Sequence, residues 1–268
     1  NVVSTVRERY GHLAISGGSC CGPATSCGTT TSLATALGYA KQELDLLPEG
    51  TDLGLGCGAP LAHLDLQPGE VVVDLGSGAG IDALLAAAKV GPRGRVIGID
   101  MTPEMLARAR TNAVNAGYAR TVEFREGLIE ALPVASGSAD VLISNCVINL
   151  CSDKAQVLRQ AHRLLKPGGE MYFSDVYADR RVPSAVAEHP VLYSECLGGA
   201  LYWNDLIRLA KDAGFADPRL VSDSPITIDI VKSGQPMTLR GGTLECLAVK
   251  PGIARFISTA SSEGLSLH

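Results

Sequence analysis

Between residues 66 and 177 the chain alternates short apolar runs with stretches whose apolar positions recur at helical spacing. Glu70-Val-Val-Val-Asp-Leu75 is a β-branched run that ends in the turn Gly76-Ser-Gly-Ala-Gly80. Ile81 to Val90 follows with Ala and Leu on every side, the pattern of a buried helix, and Gly91-Pro-Arg-Gly94 stops it. Arg95–Asp100 predicts a second strand. Thr102 then caps a helix with Pro103 in its first position, Met105, Leu106, Ala109, Ala113 and Ala116 on one face, and Gly117 at its end. Thr121–Arg125 and Ala139–Ser144 predict strands three and four. Ser152 or Asp153 opens a helix with an apolar stripe of Val157, Leu158, Ala161, Leu164 and Leu165. Lys166-Pro-Gly-Gly169 breaks it, and Glu170–Asp175 predicts strand five. Short apolar strands alternating with amphipathic helices imply a mainly parallel sheet covered on both faces, a doubly wound α/β domain.

The flanks differ in texture. Residues 1–65 form a Cys-rich N-terminal segment, 66–180 the strand–helix domain, and 181–268 a less regular C-terminal region. Within the last, Pro225 to Ala248 reads as strand-like and includes Cys246, and the final ten or so residues have a disordered composition. The 268 residues are 46% hydrophobic and 19% charged, ordinary values for a soluble globular protein. A net charge of −5 with no Lys/Arg cluster excludes a phosphate-tracking surface, so no nucleic-acid partner is expected. No apolar stretch reaches the roughly 18 to 20 residues of a membrane span. Asn1 to Tyr10 lacks the apolar core of a secretion signal, which points to a cytoplasmic setting, and the missing initiator Met points to sequence upstream. No coiled-coil seam appears, and a monomer is expected. Eight cysteines, at 20, 21, 27, 57, 146, 151, 196 and 246, are too sparse for a secreted disulfide scaffold and are expected as reduced thiols, which are soft ligands. His63, His162 and His189 lack the spacing of a metal site and are expected at the surface.

In an open α/β sheet the ligand sits beyond the carboxyl ends of the strands. Asp74-Leu-Gly-Ser-Gly-Ala-Gly80 stands at such an end and opens a helix; its glycines allow close approach to the backbone. The spacing is G-x-G-x-G, not the G-x-G-x-x-G that seats a pyrophosphate. Asp100, at the end of strand two, is placed to accept both ribose hydroxyls of a nucleoside. With Lys166-Pro-Gly-Gly169 before strand five, this combination resembles the class I S-adenosylmethionine methyltransferases, whose fold is Rossmann-like. The resemblance implies that Asp74, Gly76, Gly78 and Gly80 frame the methionine part of S-adenosylmethionine. It further implies that Asp100 holds the ribose, that Met101, Leu128 and Ile129 bracket the adenine, and that Asn145 adjoins the cofactor. Asp82 and Glu126 read as solvated or helix-end charges.

Four further segments narrow the family. Gly54-Leu-Gly-Cys57-Gly-Ala-Pro60, Ser144-Asn-Cys146-Val-Ile-Asn-Leu150, Ser174-Asp-Val-Tyr-Ala-Asp-Arg180 and Tyr193-Ser-Glu-Cys196-Leu-Gly-Gly-Ala-Leu-Tyr-Trp203 resemble the arsenite methyltransferases over about residues 7 to 224. By that resemblance Cys57, Cys146 and Cys196 bind trivalent arsenic and carry the catalysis, and residues 181–268 hold part of the arsenic site and a lid. Methylated arsenicals for detoxification would be the product. Cys20, Cys21 and Cys27 resemble the family's Cys-rich leader, with a redox or relay role or none, and Cys151 reads as structural. After about residue 224 the tail departs from the family, whose members often continue into a longer Cys-containing domain.

Three thiols suit the chemistry. Trivalent arsenic is a soft centre that binds three thiolates and keeps a lone pair, so the nucleophile has no proton for a base to remove. The resemblance also implies a reducing co-substrate, glutathione or thioredoxin, because methylation raises the formal oxidation state of arsenic. Two other functions remain open on the residues alone: a methyltransferase acting on a small organic acceptor, and a non-catalytic, thiol-based arsenic-binding protein.

Overall fold

The computed structural model describes residues 2–16, 33–178, 181–189, 193–194, 196, 198–223 and 249–258. Cys20, Cys21, Cys27, Cys246, the strand-like Pro225–Ala248 stretch and the last ten residues lie outside them.

Three helices precede the sheet: α1 (Val2–Ser16), α2 (Leu33–Ala36) and α3 (Lys41–Leu44). Then β1 (Val71–Leu75), α4 (Ile81–Val90), β2 (Arg95–Asp100), α5 (Pro103–Asn115) and β3 (Val122–Glu126) follow one another as the periodicity requires. β4 (Ala139–Asn145), α6 (Lys154–Leu164) and β5 (Leu165–Ala178) complete the central run. Beyond it come α7 (Ser184–Ala187), β6 (Leu201–Tyr202), α8 (Trp203–Asp212), β7 (Phe215–Asp223) and β8 (Val249–Ser258).

The sheet order is β3-β2-β1-β4-β5-β8-β7, with β6 paired to β5 off this path. Strands β1 to β6 run parallel, and β8 pairs antiparallel with both β5 and β7. The order reverses between β1 and β4, the switch point beside which ligands of such sheets bind. Apolar clusters fill both faces. One holds Leu84 and Leu106 from α4 and α5; the other holds Leu158 and Leu164 from α6 with Phe173 and Leu206.

Three sequence expectations need adjustment. Thr102 stands at the N-cap of α5, but its side chain makes no capping bond; its N–H donates to Asp100 Oδ1 at 2.8 Å instead. Asp153 does cap α6, accepting from Gln156 N–H at 2.8 Å. Lys166-Pro-Gly-Gly169 does not separate helix from strand. It is an irregularity within β5, since Ala139 pairs with Leu165 while Val141 pairs with Glu170. His162 is not a surface group: its ring packs edge-on against Phe215 at 5.4 Å.

α1 was not among the elements expected from the sequence. It packs on α5 and is tied down at two places. Arg108 donates to the carbonyls of Ala14 at 2.8 Å and Gly50 at 3.0 Å, and Arg9 donates to Ser194 Oγ at 2.6 Å. No helix among the described residues is long and apolar enough to cross a membrane.

Candidate active site

The carboxyl ends of β1, β2 and β4 open into one cleft, covered by Val3, Val6 and Tyr10 of α1 and by residues 51–56. It encloses ≈ 1180 Å³ of non-protein space, its open mouth included, enough for a nucleoside joined to an amino acid. Asp74, Gly76, Gly78, Asp100, Met101, Leu128, Ile129, Asn145 and Cys146 all line it. Gly80 stands behind the lining at the head of α4, where an added Cβ would meet Phe124 at 3.0 Å.

Backbone geometry explains the glycine loop. Gly76 has φ +72°, and a Cβ there would strike the side chain of Val147. Gly78 has φ +51° and nothing within 4 Å of a Cβ position, so its face is open. The N–H groups of Gly76 and Ser77 donate to Ile99 O at 2.7 and 2.9 Å, pinning the loop to β2. Asp100 completes the clamp: Oδ2 accepts from Gly78 N–H at 2.9 Å and Oδ1 from Thr102 N–H at 2.8 Å. Those bonds leave lone pairs for two ligand hydroxyls.

Three carboxyls line the cleft, Asp74 and Asp82 buried and Asp100 half-buried. Asp74 is 2% exposed and its Oδ2 has no hydrogen-bond partner among the described residues. Burial, then the charges of Asp82 and Asp100, hold its pKa well above the ordinary value. Such an orphaned oxygen is costly unless a donor meets it; a ligand ammonium would do so. Burial also raises Asp100, against the opposing bonds from Thr102 and Gly78.

Asp82 is the helix-end charge of its two sequence readings, in the first turn of α4, and it is not solvated. It is 3% exposed and accepts from Tyr39 Oη at 2.9 and 3.0 Å. Burial lifts its pKa to about 6, against the bonds from Asn145 and Tyr39. Asn145 joins the parts of the site: Nδ2 donates to Gly58 O at 2.7 Å, Tyr39 Oη at 2.8 Å and Asp82 Oδ2 at 3.2 Å, while Oδ1 accepts from Cys57 N–H at 3.1 Å. Glu126, by contrast, is exposed and faces Arg7 at 3.7 Å.

The thiols gather at the end of β4. Cys146 and Cys196 bring their sulfurs to 3.5 Å, and Cys57 Sγ lies 3.7 Å from Ser174 Oγ. Atoms of Cys57, Cys146 and Asp175 lie within 4.8 Å of one another, so Cys146 is the vertex shared by all. Cys57, Cys146, Cys151 and Cys196 are free thiols. Both Cys146 (φ 59°) and Cys196 (φ 64°) adopt the left-handed backbone region, which costs a non-glycine residue about 1–2 kcal/mol. Tight turns force this. Asn149, in the turn after Cys146, donates Nδ2 to Val176 O at 2.7 Å and to Cys196 O at 3.4 Å. Gly199 packs so closely on the Asn149 carbonyl that no Cβ fits.

An apolar shell of Val6, Leu150, Val176 and Ala200, with Tyr10 and Met101, surrounds the sulfurs. The mutual hydrogen bond with Cys196, then that with Cys57, then burial raise the Cys146 pKa well above normal. At Cys196 the bond from Cys146 pulls the pKa down, but burial and the neighbouring charges of Asp175 and Cys57 outweigh it. Cys151 is buried, bonds back to Val147 O at 3.6 Å and also lines the cleft.

Asp175 and Tyr177 were not picked out as site residues from the sequence. Asp175 is 1% exposed and accepts from the N–H groups of Asn149 at 3.0 Å and Val176 at 2.9 Å. The Tyr177 hydroxyl is buried with no partner among the described residues. Both belong to the Ser174-Asp-Val-Tyr segment; one apolar-rich strand end carrying two polar side chains was the available signal.

Sheet order, glycine loop and acidic pair define a class I methyltransferase fold. Residues 66–214 match the methyltransferase-domain family. The chain is 51% identical over 218 residues to an arsenite methyltransferase of Aquipseudomonas alcaligenes, covering 79% of this chain and 58% of the relative. It is 46% identical over 220 residues to that of Halobacterium salinarum, covering 78% and 56%. A crystal structure of an arsenic(III) S-adenosylmethionine methyltransferase from Chlamydomonas reinhardtii superposes with a TM-score of 0.68 at 38% identity, covering 87% of this chain and 76% of that one. The chain thus belongs to the methyltransferase-domain family and, within it, to the arsenite methyltransferases. It spans a little over half the length of these two curated relatives.

Proposed function

We propose that the protein transfers the methyl group of S-adenosylmethionine to trivalent arsenic held by Cys57, Cys146 and Cys196. The observation that carries this reading is the position of Cys146, which both lines the cofactor cleft and touches the other thiol of the close pair.

Within the cleft, Asp74 would meet the methionine ammonium with its orphaned oxygen and Asp100 would take the ribose hydroxyls. Met101, Leu128 and Ile129 would bound the adenine, and Asn145 would hold Cys57 to the cleft wall. When bound, S-adenosylmethionine supplies an electrophilic methyl on a positively charged sulfonium, which the three carboxyls stabilise. Cys57, Cys146 and Cys196 would each give up a proton to the hydroxide or thiolate they displace from arsenic. The lone pair left on arsenic is the nucleophile, and no protein base acts in the transfer. Orientation and exclusion of water by the apolar shell are the protein's contribution.

Each methylation raises arsenic by two oxidation levels, so a thiol reductant of the glutathione or thioredoxin type must return it to the trivalent state. That requirement places the reaction in a reducing compartment such as the cytoplasm, with detoxification as its outcome. A monomer suffices, since the cleft and the thiols come from one chain. Residues 181–268 would supply Cys196 and a cover for the arsenic.

The test is methyl transfer from labelled S-adenosylmethionine to arsenite with excess thiol, resolving arsenic species by chromatography. Methylated arsenicals are expected. Cofactor binding without any arsenic product would redirect the assignment to an organic acceptor, and arsenic binding without turnover to a sequestering protein.

A further inference from the structure

The thiol cluster includes a donor that arsenic does not need. Trivalent arsenic fills three positions with sulfur and keeps its lone pair. A divalent d¹⁰ cation has no such lone pair and takes four ligands in a tetrahedron. Asp175 stands where a hard oxygen would complete that set: one of its oxygens and the sulfurs of Cys57 and Cys146 lie mutually within 4.8 Å. Cys196, 3.5 Å from Cys146, lies just outside that mutual set and would swing inward to supply the fourth ligand.

We propose that Cys57, Cys146 and Asp175, with Cys196 closing the tetrahedron, form a binding site for zinc or cadmium that overlaps the arsenic site and blocks it. The inference stands on the donor geometry and does not depend on arsenic methylation being the reaction.

Three features support it. First, the spacing is close to what a cation imposes. Zinc–sulfur bonds of about 2.3 Å at the tetrahedral angle put sulfurs roughly 3.8 Å apart. The Cys146–Cys196 distance of 3.5 Å is already near that value, and the edges among Cys57, Cys146 and Asp175, all within 4.8 Å, need a contraction of about 1 Å, while Cys196 has further to move to complete the set. Second, Asp175 is preset. The backbone N–H groups of Asn149 and Val176 hold its two oxygens, a supporting arrangement typical of metal-ligating carboxylates, and each oxygen retains a free lone pair. Third, a counter-charge is at hand. Three thiolates and one carboxylate bring four negative charges against two positive ones, and the half-buried Lys154 ammonium, which interacts with Asp175, offsets one of the two that remain. Each thiol that ligates releases its proton to solvent, so the ion rather than a base drives deprotonation. Sulfur-rich donors with a single oxygen select zinc and cadmium over magnesium or calcium.

Cadmium is the probe, because thiolate-to-cadmium charge transfer is read directly in the ultraviolet. The full chain carries Cys20→Ser, Cys21→Ser, Cys27→Ser and Cys246→Ser to silence other thiols, and a phosphine keeps the rest reduced. One tightly bound cadmium with thiolate absorption is expected. Asp175→Asn should weaken it on the order of 10- to 100-fold while leaving arsenite binding, followed by the fluorescence of the single Trp203, unchanged. Cys57→Ser should lose one thiolate's share of the absorption, and Cys151→Ser should lose none. An unaltered cadmium affinity in Asp175→Asn, or thiolate absorption undiminished in Cys57→Ser with Cys146→Ser, overturns the proposal. Should Asp175→Asn fail to fold by circular dichroism, Cys57→Ser decides, and undiminished absorption there also overturns it. Cadmium binding without arsenite binding would sink the arsenic reading alone; the reverse would sink this inference alone.

Discussion

Replacing Asn145 by Asp keeps the shape of the side chain and reverses one edge of it. The oxygen that accepts from Cys57 N–H at 3.1 Å is retained. The nitrogen that donates to Gly58 O at 2.7 Å and to Asp82 Oδ2 at 3.2 Å becomes an oxygen facing two acceptors. Tyr39 can rotate its hydroxyl, so its contact is not counted. Each buried polar group stripped of its partner costs about 1–3 kcal/mol, and two of them give roughly 2–6 kcal/mol of lost stability at pH 8. Acid should return part of it. Below about pH 6 Asp82 takes up a proton, and a protonated carboxyl can donate to its neighbour and restore one bond. The variant's deficit should therefore shrink by about 1–3 kcal/mol between pH 8 and pH 5. Urea unfolding of both proteins at the two pH values measures this. A deficit below about 1 kcal/mol at pH 8, or one that is constant with pH, would refute the network drawn around Asn145.

Other variants probe separate links. Cys146→Ser or Cys196→Ser should abolish methylation of arsenite and of monomethylated arsenic, whereas Cys57→Ser should partly spare the second, which has only two exchangeable positions; equal losses on both substrates in rate assays would contradict that order. Asp100→Ala removes charge-assisted bonds worth about 1.5–3 kcal/mol and should weaken cofactor binding by calorimetry roughly 10- to 100-fold, with arsenite affinity intact. Asp82 has a folded pKa of about 6 against an ordinary 3.8. Its native form binds the proton more tightly, so it costs stability as pH rises from about 4 to about 6, by about 3 kcal/mol in full. Asp82→Asn should flatten that part of the stability–pH curve, and a curve parallel to wild type would exclude the assignment.

Much of the fold was legible because it is written in periodicity. The strand from Arg95 to Asp100 and the helix from Ile81 to Val90 fall where the apolar pattern put them. Those segments are buried on more than one side, so tertiary context and local preference agree. α1 was not read from the sequence although Val3, Val6, Tyr10 and Ala14 fall at helical spacing; Arg108 and Arg9, which hold it, make long-range bonds that leave no local pattern. The cleft residues were legible from the glycine spacing and the strand-end carboxylates. Asp82 does stand in the first turn of α4, as one of its two sequence readings had it; its burial was not legible because its partner Tyr39 lies 43 positions away. Asp175 was missed for a similar reason, since its N–H donor Asn149 and its sulfur neighbours converge only in three dimensions.

The left-handed backbone at Cys146 and Cys196 has an evolutionary consequence. At such positions glycine or asparagine is the relaxed occupant, and cysteine is held there at about 1 kcal/mol or more apiece. A descendant no longer selected for sulfur chemistry would gain stability by the same mutations that disarm it. Drift at 146 and 196 should therefore run toward glycine and asparagine, and valine or isoleucine should stay rare there whatever the surrounding core accepts. Homologues bearing Gly or Asn at both sites would be better folded, and inert toward arsenic.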